Sequence, residues 1–431
     1  MNQNLKYFNI FPRIVAEGKK TTIKVEPLYG HKKIKDEAKY EVAYIPMETG
    51  GDDEAGVFEK AFEIQPVNGL FEISLTFVGE QEHRIRILET IGQEQREYCS
   101  FSVYSVKEDL YNLRPYKGDL HMHSYYSDGN ESPAYVAGAC RKIGLDFMAI
   151  TDHEQYQPSL EAQEAYKNLD IDLLICPGEE IHPPDNEVHM INFGGKFSVN
   201  DLIRNDKESY FKEVEEIRQK ENIPLSKQEQ YKYASCKWCF DKIREAGGLS
   251  IYCHPYWVFE NRYNVSINLH NYIYHKQPFD AYEIIGGFFI HEAESNLLQV
   301  AYYHEERAKG KQMPIVGVSD AHGCDNGELF GWYYTVVFAS DLKLSSLIEG
   351  IKNCKSVAVE ALPGNPVRVY GPYRLVKYVS FLIREIFPIH DELCYEEGKL
   401  MLRYLSGDQG AADILKAYKG RVEKKMNIYW S

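Results

Sequence analysis

No stretch of the 431-residue chain approaches the ~20 consecutive apolar residues that a membrane-crossing helix needs, so no membrane partner is expected. A basic excess is missing too: 49 Lys+Arg stand against 64 Asp+Glu, a formal net charge of −15. That balance works against binding a phosphate backbone, and no long nucleic-acid partner is expected. The opening residues, MNQNLKYFNIFPRIVAEG, lack the charged-then-apolar order of a secretory signal. Nine cysteines form an odd set without framework spacing, in a chain long enough to bury a core unaided. A reducing, cytoplasmic compartment is the expectation. The short pair Cys236 and Cys239 lies in a stretch that reads as helical throughout and follows no strand, so a redox or zinc role is not assigned to it. Internal repeats and low-complexity tracts are absent. The 33 tyrosines are spread along the chain, which suits packing rather than a binding cage.

What remains is ordinary globular composition, 44% hydrophobic and 26% charged, with length for two to four domains or one large one with additions. Residues 1–112 read as short strands (KTTIKVEPL, YEVAYIPM, LFEISLTFVG, HRIRILETI, YCSFSVYSV). Turn chemistry at Gly50–Asp53 and Val67-Asn68-Gly69 separates them, and a small all-β, sandwich-like domain is expected. It holds His31 and His83 but no cluster of ligand types. From 113 to 340 short apolar runs alternate with helical stretches, the pattern of βα units. The expected strands are 118–123, 146–151, 173–177, 188–193, 249–253, 281–285 and 314–319. A helix between the first two has Ser132 to cap it, Pro133 in its first turn and Gly144 at its end. Residues 196–246 form a polar helical insertion. The strand-like WYYTVVF and the helix SSLIEGIKN follow residue 330, and 341–431 form a mainly helical C-terminal extension with Gly371-Pro372 as a break.

With 14 His in the chain, about 0.45 His-x-His pairs are expected by chance, so His121-Met122-His123 alone means little. Position relative to the strands means more. The first strand ends in His121 and His123, with Asp128 following. The second runs into Thr151-Asp152-His153, and the third is followed by Glu179 and Glu180. The fourth carries His189, the fifth leads to His254, and the seventh leads to Asp320 and His322. In a βα barrel those ends converge on one face. Imidazoles and carboxylates crowded there repel or stay unsatisfied unless cations compensate them. Neutral imidazole and carboxylate oxygen are good ligands for divalent ions. Alternate residues of an extended segment share a face, so His-x-His and Asp-x-His each aim two ligands together. Nine candidate ligands are too many for one ion, and two or three divalent ions with a bridging carboxylate are implied. Composition does not separate Glu179 from Glu180. His182, His270, His275, His291, His304 and His390 lack the strand-end context and are left as ordinary residues.

Gly118-Asp119-Leu120-His121-Met122-His123-Ser124, Ser127-Asp128-Gly129 and Ile150-Thr151-Asp152-His153 resemble the opening motifs of the PHP (polymerase and histidinol phosphatase) superfamily. Pro177-Gly178-Glu179-Glu180, His189, His254-Pro255 and Ser319-Asp320-Ala321-His322 match its later motifs in order. The resemblance covers about 118–330. It implies a distorted seven-stranded βα barrel that holds up to three metals and hydrolyses phosphoesters. By motif, His121, His123, a bridging Glu180 and Asp320 would hold the first metal. Glu180, His189 and His254 would hold the second, and Asp128, His153 and His322 the third. The family's glutamate comes two residues after the glycine, which selects Glu180. A β-domain ahead of these motifs also resembles the carbaryl-hydrolase-like branch, whose members cleave carbamate or ester bonds.

The expectation is therefore a hydrolase that uses Zn, Mn or Fe and a metal-bridging hydroxide on a small, anionic phosphoester. Asp152, His153 and His322 would assist proton transfer. Arg262, Lys237 and Arg204 could meet the anion but suit solvated surface as well. Tyr125, Tyr126, Tyr256 and Trp257 could line the pocket or pack its rim. Alternatives are a carboxyl-ester or carbamate metallo-hydrolase, a non-catalytic metal-binding module and a polymerase-linked exonuclease. Acidity and chain length speak against the last.

Overall fold

Phe71, Ile73 and Leu75 alternate with Glu72, Ser74 and Thr76 along one strand, apolar side inward, and this period of two builds the first part of the fold. A computed structural model describes residues 6–48, 60–325 and 329–430. The expected turn at Gly50–Asp53 lies outside the described residues.

The chain divides into two compact units. The first comprises Met1–Arg114, Val376–Leu393 and Gly420–Ser431. In it a three-stranded sheet runs in the order Phe8–Phe11, Lys20–Pro27, Phe71–Thr76. A five-stranded sheet runs Ile14–Ala16, Glu94–Val106, Glu82–Ile91, Lys39–Pro46, Lys60–Ile64. All pairs are antiparallel except Ile14–Ala16 with Glu94–Val106. Ile23, Val25 and Ile73 from one sheet share a single apolar cluster with Val42, Ile85 and Phe101 from the other. Buried Arg13 donates to Glu385 Oε2 at 2.7 Å and to the Ser102 carbonyl at 2.6 Å. His83 sits between the Tyr44 hydroxyl (2.9 Å) and Ser105 Oγ (2.6 Å), whereas His31 contacts Tyr7 and Tyr29.

The second unit comprises Pro115–Leu375 and Cys394–Lys419, so the extension 341–431 contributes to both units. Six of the seven strands expected between 118 and 319 are present, somewhat shorter or equal in length, and the first lies earlier, at Arg114–Asp119 instead of 118–123. They are divided between two sheets. A six-stranded sheet runs Leu174–Cys176, Phe147–Ala149, Arg114–Asp119, Tyr333–Ala339, Ser356–Glu360, Arg368–Tyr370. A five-stranded sheet runs Gly178–Ile181, Met190–Phe193, Leu249–Tyr252, Ala281–Ile285, Ile315–Gly317. Isolated parallel bridges, His153 to Glu180 and Met122 to Ala321, carry the pairing from one sheet to the other and curl the whole. Gly178–Ile181 pairs antiparallel with Met190–Phe193, because the short 182–189 connection cannot hold a crossover helix.

Local signals act as the sequence indicates. The helix Pro133–Lys142 starts where the Tyr135 N–H donates to Ser132 Oγ at 3.3 Å, and Gly144 follows its end at φ 95°, a conformation that suits glycine. The insertion folds into helices Val199–Asn205, Lys207–Lys220 and Lys227–Glu245. Cys236 and Cys239 are buried in the last, where burial raises both thiols, Cys236 to about 12, so they pack as apolar residues. Among the described residues no helix is long and apolar enough to cross a membrane.

Candidate metal centre

Strand ends on both sheets of the second unit deliver the cluster. Arg114–Asp119 leads to His121 and His123, Phe147–Ala149 to His153, and Leu249–Tyr252 to His254. Ile315–Gly317 leads to Asp320 and His322. Along Gly178–Ile181 neighbouring side chains face opposite ways, and this separates the two glutamates. Glu180 enters the cluster. Glu179 accepts from Asn192, Ser198, Asn200 and the Val199 N–H, at 2.6–3.0 Å, which ties down the start of helix Val199–Asn205.

Glu180 is the hub. His153 Nδ1 lies 2.7 Å and His189 Nδ1 2.9 Å from its oxygens, with His182, His121, His123 and His254 at 3.4–3.8 Å. Asp320 Oδ1 lies 3.2 Å from His121 Nε2 and 2.8 Å from His123 Nε2. His189 Nδ1 and His254 Nε2 are 2.9 Å apart. Asp128 stands 3.3 Å from both His153 Nε2 and His322 Nε2, and the His123 and His322 rings stack with centroids 4.3 Å apart. Each of the three ligand sets implied by the motifs is thus gathered in one place.

The charge pattern is unusual for a bare core. Both Glu180 oxygens and His121 Nε2 are fully buried, and the groups 2.7–3.8 Å from them do not meet them in hydrogen-bonding geometry, a costly state unless something else binds them. Burial opposes ionisation of Glu180, yet the surrounding imidazoles, His189 and His121 foremost, hold it well below the usual carboxylate range. Burial lowers His189 to about 4, leaving a neutral imidazole with a free lone pair. Burial opposes protonation of His153, but Asp128 and Glu180 raise it to about 10. Orphaned oxygens and nitrogens a few ångströms apart, with nitrogen and oxygen donors of this kind, fit divalent cations. Groups formed by His121, His123 and Glu180, and by His123, Asp128, His153 and His322, have ligand atoms within 4.8 Å of one another.

Three residues depart from the expected roles. Asp152 is fully buried with its carboxylate turned to the 124–127 loop, where the Ser124 N–H and the Ser124 and Ser127 hydroxyls donate to it at 2.6–2.7 Å. It positions that loop and is not among the residues that line the cavity into which the cluster opens. His182, set aside as ordinary, stands 3.0 Å from His153 Nδ1 and stacks on His189 at 4.1 Å. The i, i+2 spacing from Glu180 was the signal for it. Glu283, on strand Ala281–Ile285, lies 3.4 Å from His121 Nδ1 and 3.2 Å from His254 Nδ1. A lone acid within the apolar run AYEII was its signal.

The cluster opens into a cavity of about 440 Å³, lined on the ligand side by Asp128, His153, His189, His254, Asp320 and His322. Its other wall includes Trp257, Phe288, Phe289 and Leu329. Trp257 therefore lines the pocket. Tyr125 and Tyr126 are exposed and stacked on each other, and Tyr256 packs on His270. Arg262 is 79% exposed, Lys237 pairs with Asp241, and Arg204 donates to the Glu154 carbonyl; none of them lines the cavity.

Residues 119–235 match the family model described as the PHP domain. Over 83 residues the chain is 46% identical to the DNA polymerase/3'-5' exonuclease PolX of Bacillus subtilis, which is 19% of this chain and 15% of that protein. It is 26% identical over 151 residues to an uncharacterised protein of Methanocaldococcus jannaschii, 32% of this chain and 68% of that one. The chain thus spans well under two thirds of the first of these relatives. Among solved structures, a two-domain protein from Bacteroides vulgatus containing a predicted PHP-like metal-dependent phosphoesterase aligns with TM-score 0.40 and 16% identity. That alignment covers 57% of this chain and 65% of that one.

Proposed function

We propose, from the PHP domain that this chain contains over residues 119–235, that it is a metal-dependent hydrolase of small-molecule phosphoesters. The observation that carries the proposal is the hub: a buried Glu180 with both oxygens unpaired amid imidazoles, beside Asp320, Asp128 and a cavity of ligand size. His121, His123, Glu180 and Asp320 would hold one cation, Glu180, His189 and His254 a second, and Asp128, His153 and His322 a third. Cations bound there supply positive charge for the phosphoryl oxygens and lower the pKa of a coordinated water.

The protein's own groups do the rest. Asp152 fixes the loop that carries Asp128, and Glu283 fixes the rings of His121 and His254. His153 and His322 face the cavity. They either share a cation with Asp128 or, protonated, donate from Nε2 to the leaving oxygen. A compact charged cup that sequesters the ester orients it and excludes bulk water.

A carboxyl-ester or carbamate hydrolase is the second reading, favoured by the apolar wall of Trp257, Phe288, Phe289 and Leu329. One experiment separates the two. Protein loaded with Mn, Zn or Fe, its metals counted by elemental analysis, is assayed on aryl phosphate monoesters and diesters, aryl acetates and carbamates. Two or three metals per chain with phosphoester turnover is the expected result. Turnover confined to acetates or carbamates overturns the phosphoester reading, and metal without turnover on any class leaves a binding module.

A further inference from the structure

Beyond the reacting ester, the substrate faces a wall of apolar surface and negative charge with no cation in it. Trp257, Phe288, Phe289 and Leu329 supply the apolar part, and Asn130 and Glu292 the polar side chains outside the ligand cluster. Among the described residues no Lys or Arg lines the cavity. Glu292 is held in place: its Oε2 accepts from the Phe289 N–H at 3.2 Å across the short turn Ile290–Glu292. The Trp257 ring lies 5.8 Å from the His189 ring and 5.5 Å from that of Phe259, so an aromatic face adjoins the ligand cluster.

We infer that the site takes a phosphate ester of an aromatic or apolar alcohol that bears no second anionic group, with Glu292 rejecting such a group. The inference rests on the phosphoester reading above. Cations at the cluster neutralise one phosphoryl group, and among the described lining residues no Lys or Arg neutralises another. A second carboxylate or phosphate would meet Glu292 across a cavity with low-dielectric walls, where like charges repel strongly. A ring or aliphatic chain there covers Trp257 and Phe289 and gains by leaving water. Glu292 is therefore a specificity residue, and its carboxylate also suits a donor or cationic group on the alcohol.

The test uses metal-loaded full-length protein and three esters whose leaving groups differ little in reactivity: 4-methylphenyl, 4-(carboxymethyl)phenyl and 4-(aminomethyl)phenyl phosphate. The expected kcat/KM for the carboxymethyl ester is at least about tenfold below that for the methyl ester, with the aminomethyl ester at or above it. Glu292→Gln keeps an oxygen for the Phe289 N–H and should narrow the gap to about threefold or less, and Glu292→Lys should reverse it. A readout independent of turnover is the quenching of tryptophan fluorescence by phenylphosphonate, expected to be lost in Trp257→Phe while thermal unfolding shows the variant folded. Equal or better turnover of the carboxymethyl ester, a ratio unmoved by Glu292→Gln, or unchanged quenching in Trp257→Phe overturns the inference alone. Failure to cleave all three phosphates while aryl acetates are cleaved instead overturns the reading beneath it.

Discussion

The carboxylate of Glu283 reaches His121 Nδ1 and His254 Nδ1 at once, 3.4 and 3.2 Å away, so replacing it disturbs two rings that belong to different ligand sets. A carboxylate that accepts from the outer nitrogen of an imidazole fixes its tautomer and leaves the inner nitrogen free as a donor to metal. Glu283→Gln is expected to weaken metal retention by about 10–100-fold, read by competition with a chromogenic chelator, while unfolding of the metal-free protein changes little. Retention equal to wild type would show that the carboxylate only fills space. At this scale the gathering of residues was largely legible: His121, His123, Asp128, His153, Glu180, His189, His254, Asp320 and His322 stood near strand ends and form one connected cluster. For Asp152 the sequence shows a carboxylate next to a histidine but not that it faces the 124–127 loop. Glu283 lies within a strand, outside the strand-end pattern, and His182 shares a face with Glu180 two residues before it without an expected strand end of its own to mark it.

Short elements explain why the ligands converge. The strands that deliver them are three to six residues long, and most ligands stand just beyond the last paired residue, where the backbone is free to turn inward. The loop after His123 is the tightest of these turns. A Cβ on Gly129 would stand 2.7 Å from the His123 carbonyl carbon and oxygen and 2.8 Å from the Ser124 nitrogen, all backbone atoms that cannot rotate away. Gly129→Ala should therefore displace the neighbouring Asp128 from His153 and His322. The expected outcome is loss of about one metal per chain by elemental analysis, with the other sites retained. Full metal content in that variant would mean that the loop yields without moving Asp128. Periodicity located the seven strands and the capped helix Pro133–Lys142, because apolar runs and cap residues are local signals. It did not show that they fall into two sheets. An antiparallel return such as Gly178–Ile181 onto Met190–Phe193 has the same apolar texture as a parallel strand, and direction is set by connection length and packing.

At the scale of the molecule, each unit keeps a buried neutral histidine outside the ligand cluster, and each is expected to contribute to the response to acid. In the first unit burial lowers His83 to about 4, with Tyr44 and Ser105 as its hydrogen-bond partners. In the second, burial lowers His270 to about 3, with its Nδ1 3.1 Å from the Tyr252 hydroxyl. Both folded-state values lie below the ordinary histidine value of 6.5, so the unfolded chain takes up protons first as pH falls. Their contribution to stability is complete above about pH 6.5 and is lost as pH descends from there towards the folded values, by on the order of 1.4 kcal/mol per pH unit for each histidine. Metal ligands also release cations in acid, so the measurement belongs on chelator-treated protein, where that loss is already complete. Thermal unfolding of the metal-free chain followed from pH 7.5 to 5 should show a falling midpoint. The fall should be shallower in His83→Gln and in His270→Gln, whose side chains take up no proton in either state. A slope identical in all three proteins would show that these two histidines do not carry the acid response.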